Sequence, residues 1–271
     1  MSKKEFISNI FSFFYNIFSK HKVISRDSFL KKISTIDKVL EIGPFTNPCL
    51  RGKNVYYFDV LNKENLILRA KENNYPVTEI PEIHFVSADG NLEVVNETFD
   101  NVLSSHCVEH QPDLIKHLKD VSDILKPGGT YYLIIPDKRY CFDALLPESN
   151  IAAVIEAFKE RKTKHSLKSV IEHRALTTHN NARRHWAGIH GTLENVSNRI
   201  SGAMKEFEDA NGRYIDVHAW QFTPGSFSNI INMLNELNYI DFKVTEIYHT
   251  ALFSLEFYVV LKKHVQEIKR A

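Results

Sequence analysis

The sequence has little cysteine: three residues in 271, Cys49, Cys107 and Cys141. An odd number with no CxxC pair excludes a disulfide framework and points to reduced thiols in a cytosolic protein. No activating motif surrounds Cys107, so a nucleophilic thiol there is the weaker reading. Charge of one sign is also lacking, with 34 Lys and Arg against 33 Asp and Glu. Without a basic field, nucleic acid is not a favoured partner. No apolar run is long and clean enough to span a bilayer. The aromatic stretch from Phe6 to Phe18 is interrupted by Ser8, Asn9, Ser12 and Asn16, and no small-residue cleavage site follows it. No GKS or GKT sequence occurs, so no triphosphate site is implied, and no HExxH or similar tight spacing marks a metal site. No metal is expected, although the chain carries 13 histidines. Internal repeats and low-complexity tracts are absent as well.

What is present is ordinary for a globular chain: 43% hydrophobic and 25% charged residues. The length suits one domain with an extension and an insertion. Residues 1–36 form the extension, with apolar positions 6, 7, 10, 11, 13, 14, 17 and 18 at helical spacing. That amphipathic helix packs either on the domain, or on a second copy in a homodimer, or in a membrane interface through residues 1–20. The expected location is therefore cytoplasmic, with the inner membrane face as the alternative.

Strand and helix signals alternate from 37 to 136. Five short runs, Lys38–Ile42, Asn54–Phe58, Ile83–Ser87, Phe99–Leu103 and Thr130–Ile135, are rich in β-branched or aromatic residues and stop at turn chemistry. Helical patterns at Lys63–Asn73 and Asp113–Leu125 lie between them. Alternation of this kind predicts an α/β fold with a parallel sheet covered on both faces. Residues 137–222 are rich in His, Arg and Asn and read as a helical insertion, a lid for substrate, with helices at Ile151–Lys162 and Leu193–Asp209. Residues 223–271 close the fold: a helix from Pro224 capped by Thr223, then strands at Phe242–His249 and Leu252–Lys262 that pair as a hairpin.

In an open parallel sheet, ligands bind beyond the carboxyl ends of the strands. Those ends are Glu41-Ile-Gly43, Asp59, Asp89-Gly90 and Ser105-His106. A glycine lets backbone approach a ligand, and an acid ending the second strand can accept both ribose hydroxyls. VLEIGP, YFD, SADG, FDNVLSSHCVEH and LKPGG, in this order and spacing, resemble the class I S-adenosylmethionine-dependent methyltransferases, most of all the small-molecule enzymes with a type 11 domain. The resemblance covers about 37–136. It implies a Rossmann-like seven-stranded mixed sheet whose last strand is antiparallel, and S-adenosyl-L-methionine as cofactor. It implies that Glu41, Gly43 and Pro44 shape the methionine pocket, Asp59 holds the ribose, Asp89 and Gly90 hold the adenine, and Ser105 and His106 lie under the sulfonium. The first loop, Glu41-Ile-Gly-Pro-Phe-Thr-Asn-Pro48, keeps one of the family's usual glycines. An EIGP loop of this kind is similar to a branch associated with surface-polysaccharide biosynthesis.

Methyl transfer needs alignment, exclusion of water and, for a hydroxyl, loss of a proton. His106 is the expected base, with His218 and Asp137 as further catalytic candidates; His110 reads as a structural tie. Lys138 and Arg139 read either as a grip on an acceptor phosphate or carboxylate, or as a salt-bridged loop with Asp143 and Glu148. In the insertion, Arg183, His185 and Trp220 are candidate acceptor contacts, although Trp186 and Trp220 read equally as core anchors. The expected function is O-methylation of a small polar acceptor: a carbohydrate, nucleotide-sugar or phosphorylated precursor of a cell-surface glycan. The alternative is a methyltransferase-like binding or scaffold protein that no longer methylates.

Overall fold

A computed structural model describes residues 21–264. The apolar face at 6–18 lies outside them. Seven strands form one sheet in the order β3-β2-β1-β4-β5-β7-β6. The strands are β1 (Val39–Ile42), β2 (Val55–Asp59), β3 (Phe85–Val86), β4 (Phe99–Ser105), β5 (Leu125–Pro136), β6 (Phe242–Tyr248) and β7 (Glu256–Lys263). Pairing from β3 to β5 is parallel, and β7 lies antiparallel between β5 and β6. The mixed Rossmann-like sheet with an antiparallel last strand is as expected. The strand order reverses between β1 and β4, which opens a crevice at their carboxyl ends.

The two faces are covered unequally. On one lie α3 (Leu114–Ile124), α4 (Ile151–Lys159) and α8 (Pro224–Glu236), and their apolar faces join a single core. Leu114, Ile115, Leu118 and Val121 of α3 are all fully buried, following the helical period of the sequence. Asp113 caps α3 by accepting from the Lys116 N–H. Thr223 and Ser226 form a reciprocal capping box, with Pro224 opening α8. The other face carries α1 (Arg26–Leu30), whose Phe29 is fully buried against Tyr258, their rings stacked at 4.8 Å. Helix α2 (Lys63–Glu72) buries Leu66 and Ala70 at the β2–β3 side.

The insertion holds α4, then α5 (Leu167–Ala175), α6 (Ala182–Trp186) and α7 (Val196–Ala210). Helices α5 and α6 are absent from the sequence reading: each is under three turns and buries at most two apolar or small side chains, so the period is too short to register. β3 is shorter than read, because only Phe85 and Val86 pair with β2 at this sheet edge. β5 is longer, since Leu125 pairs with Phe99 while Pro127-Gly128-Gly129 loop out before Thr130 meets Asn101.

Candidate active site

The first loop is folded back by a buried carboxylate. Glu41, 1% exposed, accepts from the backbone N–H groups of Cys49 at 2.7 Å and Leu50 at 3.0 Å. Burial pushes its carboxyl pKa up, against the pull of those two donors. Glu41 thus shapes the pocket through the loop and does not itself line it. Gly43 has φ +70°, and a Cβ there would sit 2.5 Å from the Cys107 sulfur. Only glycine permits this approach. Pro44 behind it is buried.

Beside the loop, Asp59 ends β2 and is buried, accepting from the Leu61 N–H at 3.2 Å; burial raises its carboxyl pKa. Ser87 donates to Asp89 at 2.6 Å, which draws the exposed Asp89 carboxyl below its ordinary range and sets the turn at Gly90, φ +74°. A cavity of about 410 Å³ runs from Asp59, Gly90 and Leu92 to His106, His110 and Tyr214. That volume lies within the range of small-molecule pockets.

His106 leaves the end of β4 in the left-handed region, φ +54°. Its Nε2 is 2.9 Å from the Glu256 Oε2 at the start of β7. Arg26 of α1 donates to the same carboxylate at 2.6 Å and to the Ser105 hydroxyl at 2.8 Å. Burial would raise the Glu256 pKa, but His106 and Arg26 outweigh it and hold the carboxyl low. The Glu256 carboxylate can accept a proton from Nε2, the tautomer that leaves Nδ1 unprotonated. Buried Cys107 has its thiol pushed well up, and it donates to the Ile42 carbonyl at 3.3 Å. It is a packed thiol and not a nucleophile.

Several expected site residues do not reach the cavity. Asp137 is fully buried, its carboxylate taken by Arg139 at 2.6 and 2.9 Å and by the Thr250 hydroxyl at 2.6 Å. Arg139 is therefore committed to Asp137, in a salt bridge with neither Asp143 nor Glu148. Lys138 is buried and donates to the Ala144 carbonyl at 3.2 Å. His185 is buried between His190 and the His179 carbonyl, and Arg183 is an exposed side chain of α6. Trp220 is a core anchor whose indole donates to the Gln111 carbonyl at 2.6 Å. His218 is buried behind the cavity wall, its ring centroid 4.6 Å from that of His110. Sequence reasoning passed over Arg26, Glu256, Arg69 and Tyr214. Glu256 left one signal, a lone carboxylate at the start of an apolar strand. Arg26 left none.

Residues 42–133 match the family described as "Methyltransferase domain". This segment is the methyltransferase domain of an S-adenosylmethionine-dependent enzyme. No curated protein matches the chain. Similar solved structures include the CcbJ methyltransferase of Streptomyces caelestis, at 14% identity and TM-score 0.45, covering 88% of this chain and 89% of that one. Another is an S-adenosylmethionine-dependent methyltransferase of Clostridium acetobutylicum, at 12% and 0.43, covering 95% and 99%. A third is the 1,6-didemethyltoxoflavin-N1-methyltransferase of Burkholderia thailandensis with bound S-adenosylhomocysteine, at 9% and 0.45, covering 97% and 91%. Likeness at this level carries nothing about substrate. The methyltransferase domain has the parts its cofactor needs. Asp59 would offer a carboxylate to a ribose, Gly90 and Leu92 line the side where a flat base would lie, and Gly43 lets the first loop pack against Cys107 at the cavity wall. When bound, the cofactor supplies an electrophilic methyl group.

Proposed function

We propose that this methyltransferase transfers the methyl group to a hydroxyl of a small polar, carbohydrate-like acceptor, with His106 as the base. The observation that carries the reading is the pairing of His106 with Glu256 at 2.9 Å on the cavity wall. Glu256 and Arg26 fix the ring, and Nδ1, which makes no hydrogen bond among the described residues although it lies 3.7 Å from Glu109 Oε1, takes the hydroxyl proton as the oxygen attacks in line. His110, Gln111, Tyr214 and Asp216 line the same end of the cavity and offer hydrogen-bond donors and acceptors in both senses, which suits a polyhydroxylated ligand. Lys138 and Arg139 are both engaged elsewhere, so a phosphate grip by that pair is not part of the proposal. A sugar or nucleotide-sugar precursor of a surface glycan fits this lining and the EIGP loop.

The test is transfer of labelled methyl from S-adenosylmethionine to sugars, nucleotide-sugars, amines and carboxylates, alongside calorimetry with the cofactor. His106→Gln should lower kcat by roughly 100- to 10,000-fold, the usual contribution of a general base, with cofactor affinity within a few-fold of wild type. An unchanged kcat in that variant removes His106 from the chemistry. Transfer to amines alone removes the O-methyl assignment. No heat with the cofactor would favour a scaffold protein.

A further inference from the structure

Immediately beneath the His106 wall lies a polar cluster centred on Glu109 and His218, neither of which the methyl-transfer reading above assigns a role. Glu109 sits in the one-turn 3₁₀ helix Val108–His110, with its side chain 1% exposed. Among the described residues neither carboxylate oxygen has a hydrogen-bond partner. A buried, unpartnered carboxylate is costly and calls for a compensating charge.

Three imidazole nitrogens face its Oε1: His106 Nδ1 at 3.7 Å, His110 Nε2 at 3.8 Å and His218 Nε2 at 3.9 Å. These are too long for hydrogen bonds. They match the spacing of neighbouring donor atoms around one ion with bonds of about 2.1 Å, which stand roughly 3 to 4 Å apart. One donor atom each from Glu109, His110 and His218 lies within 4.8 Å of the others. The far nitrogen of His218 is hydrogen-bonded to a carboxylate, Nδ1 to Asp143 Oδ2 at 2.6 Å, while His110 Nδ1 lies 2.9 Å from Asp216 Oδ1 at ion-pair distance without hydrogen-bond geometry. The Asp143–His218 pair is the outer-shell arrangement that orients an imidazole for ligation.

The ligands stand on fixed backbone. The Glu109 carbonyl accepts from the N–H groups of Ala219 at 2.7 Å and Trp220 at 3.2 Å, and the His218 N–H donates to His173 Nδ1 at 3.0 Å. The insertion is thereby stapled to the loop after β4, which brings together ligands that no sequence motif links.

We propose that Glu109, His110 and His218 bind a first-row transition dication of the Zn²⁺ class, with an open coordination position toward the cavity. Two imidazoles and one carboxylate select Zn²⁺, Fe²⁺ or Co²⁺ over Mg²⁺ or Ca²⁺, which prefer all-oxygen sets. Three protein ligands with a free position is the pattern of a catalytic site, and His110 lines the cavity, so the free side faces the acceptor. An acceptor hydroxyl bound there becomes more acidic, and His106 takes its proton. This catalytic role rests on the O-methyl reading; ion binding does not.

The full chain is stripped with a chelator and titrated with Zn²⁺ by calorimetry and with Co²⁺ by visible absorption, and S-adenosylmethionine binding is measured on the same samples. One Zn²⁺ per chain is expected, with ligand-field bands for bound Co²⁺. Glu109→Gln and His218→Ala should each weaken binding at least 100-fold, and Asp143→Asn 10- to 100-fold. Unchanged heat with S-adenosylmethionine in the variants shows that they fold. No stoichiometric uptake of Zn²⁺ or Co²⁺ by stripped wild type overturns the site and leaves a charge-sharing histidine cluster. Uptake undiminished in Glu109→Gln overturns it as well. Ion binding with methyl transfer that does not respond to the ion overturns the catalytic role, while absence of any heat with S-adenosylmethionine sinks the methyl-transfer reading separately.

Discussion

A single methyl group added at position 43 tests how closely the first loop must approach β4. Gly43 has φ +70°, and a Cβ would meet the Cys107 sulfur at 2.5 Å. Gly43→Ala should cost about 1–2 kcal/mol from the left-handed backbone alone. The sulfur lies in a packed wall, so relief of the clash moves the loop. Cofactor affinity should then fall at least tenfold, read by calorimetry, and an unaltered Kd would mean that the loop does not touch the ligand. Buried His117 poses a different question, one of protons. Its Nε2 meets the Tyr131 hydroxyl at 2.9 Å, and burial lowers its pKa to about 4. The folded state thus holds the ring neutral where the unfolded chain, with a pKa near 6.5, would charge it. Its contribution is fully present above about pH 6.5 and is lost as pH falls from there toward 4, by at most about 3 kcal/mol. His117→Phe should flatten that acid limb in denaturant titrations, since Tyr131 keeps its 2.7 Å bond to Ser104. A limb equally steep in the variant assigns the acid sensitivity elsewhere.

Among the elements, α1 is the one whose short sequence explains least of its own stability. A helix of five residues does not persist in water by propensity. Phe29 holds it, fully buried and ringed by Tyr258, Tyr132 and Tyr248. Phe29→Ala should cost about 3–5 kcal/mol, a large share of the roughly 5–15 kcal/mol margin of an ordinary domain. The denaturant midpoint should drop accordingly. Arg26 rides on the same helix, so the variant should also lose the brace on Glu256; a small shift would mean that α1 hangs on Arg26 instead. This element marks the limit of what the sequence reveals. The strands that bracket the cavity run out at Ile42, Asp59, Val86 and Ser105, and the turn chemistry that follows each, Gly43, Asp59, Asp89-Gly90 and His106, makes the stops visible in the chain. Their convergence follows from the parallel order. Arg26 reaches Ser105, and Asp143 reaches His218, only through tertiary contact, for which no local pattern exists. Asp137 misleads for the reverse reason. Its place after β5 is as expected, but Thr250 and Arg139 use its oxygens before any ligand could.

Over the whole molecule, stability is concentrated in the sheet and in the helices on its thicker face, α4 included, while the part of the insertion beyond α4 is tied to them at fixed points. The segment 216–220 is tied to the Glu109 carbonyl, and Trp186 stacks on Tyr140 at 3.9 Å and donates to the Ser254 carbonyl at 2.8 Å. Between these ties, 187–195 is mostly exposed, and Arg183 and Arg184 stand open on the short helix α6. Chain of this kind opens locally at little cost compared with unfolding of the sheet. Brief trypsin treatment should therefore cut first after Arg183 or Arg184. The Trp186 and 216–220 anchors both lie on the carboxyl-terminal side of that cut, and α4 on the other side is built into the main core. The two pieces should remain associated through a sizing column, and the nicked protein should still give heat with S-adenosylmethionine, because the Asp59–Gly90 end of the cavity is made entirely by the sheet half. Methyl transfer, which draws on Tyr214 and Asp216 across the nick, should suffer more than cofactor binding. Loss of both together would show that the insertion is part of the cofactor pocket and not only a cover over the acceptor end.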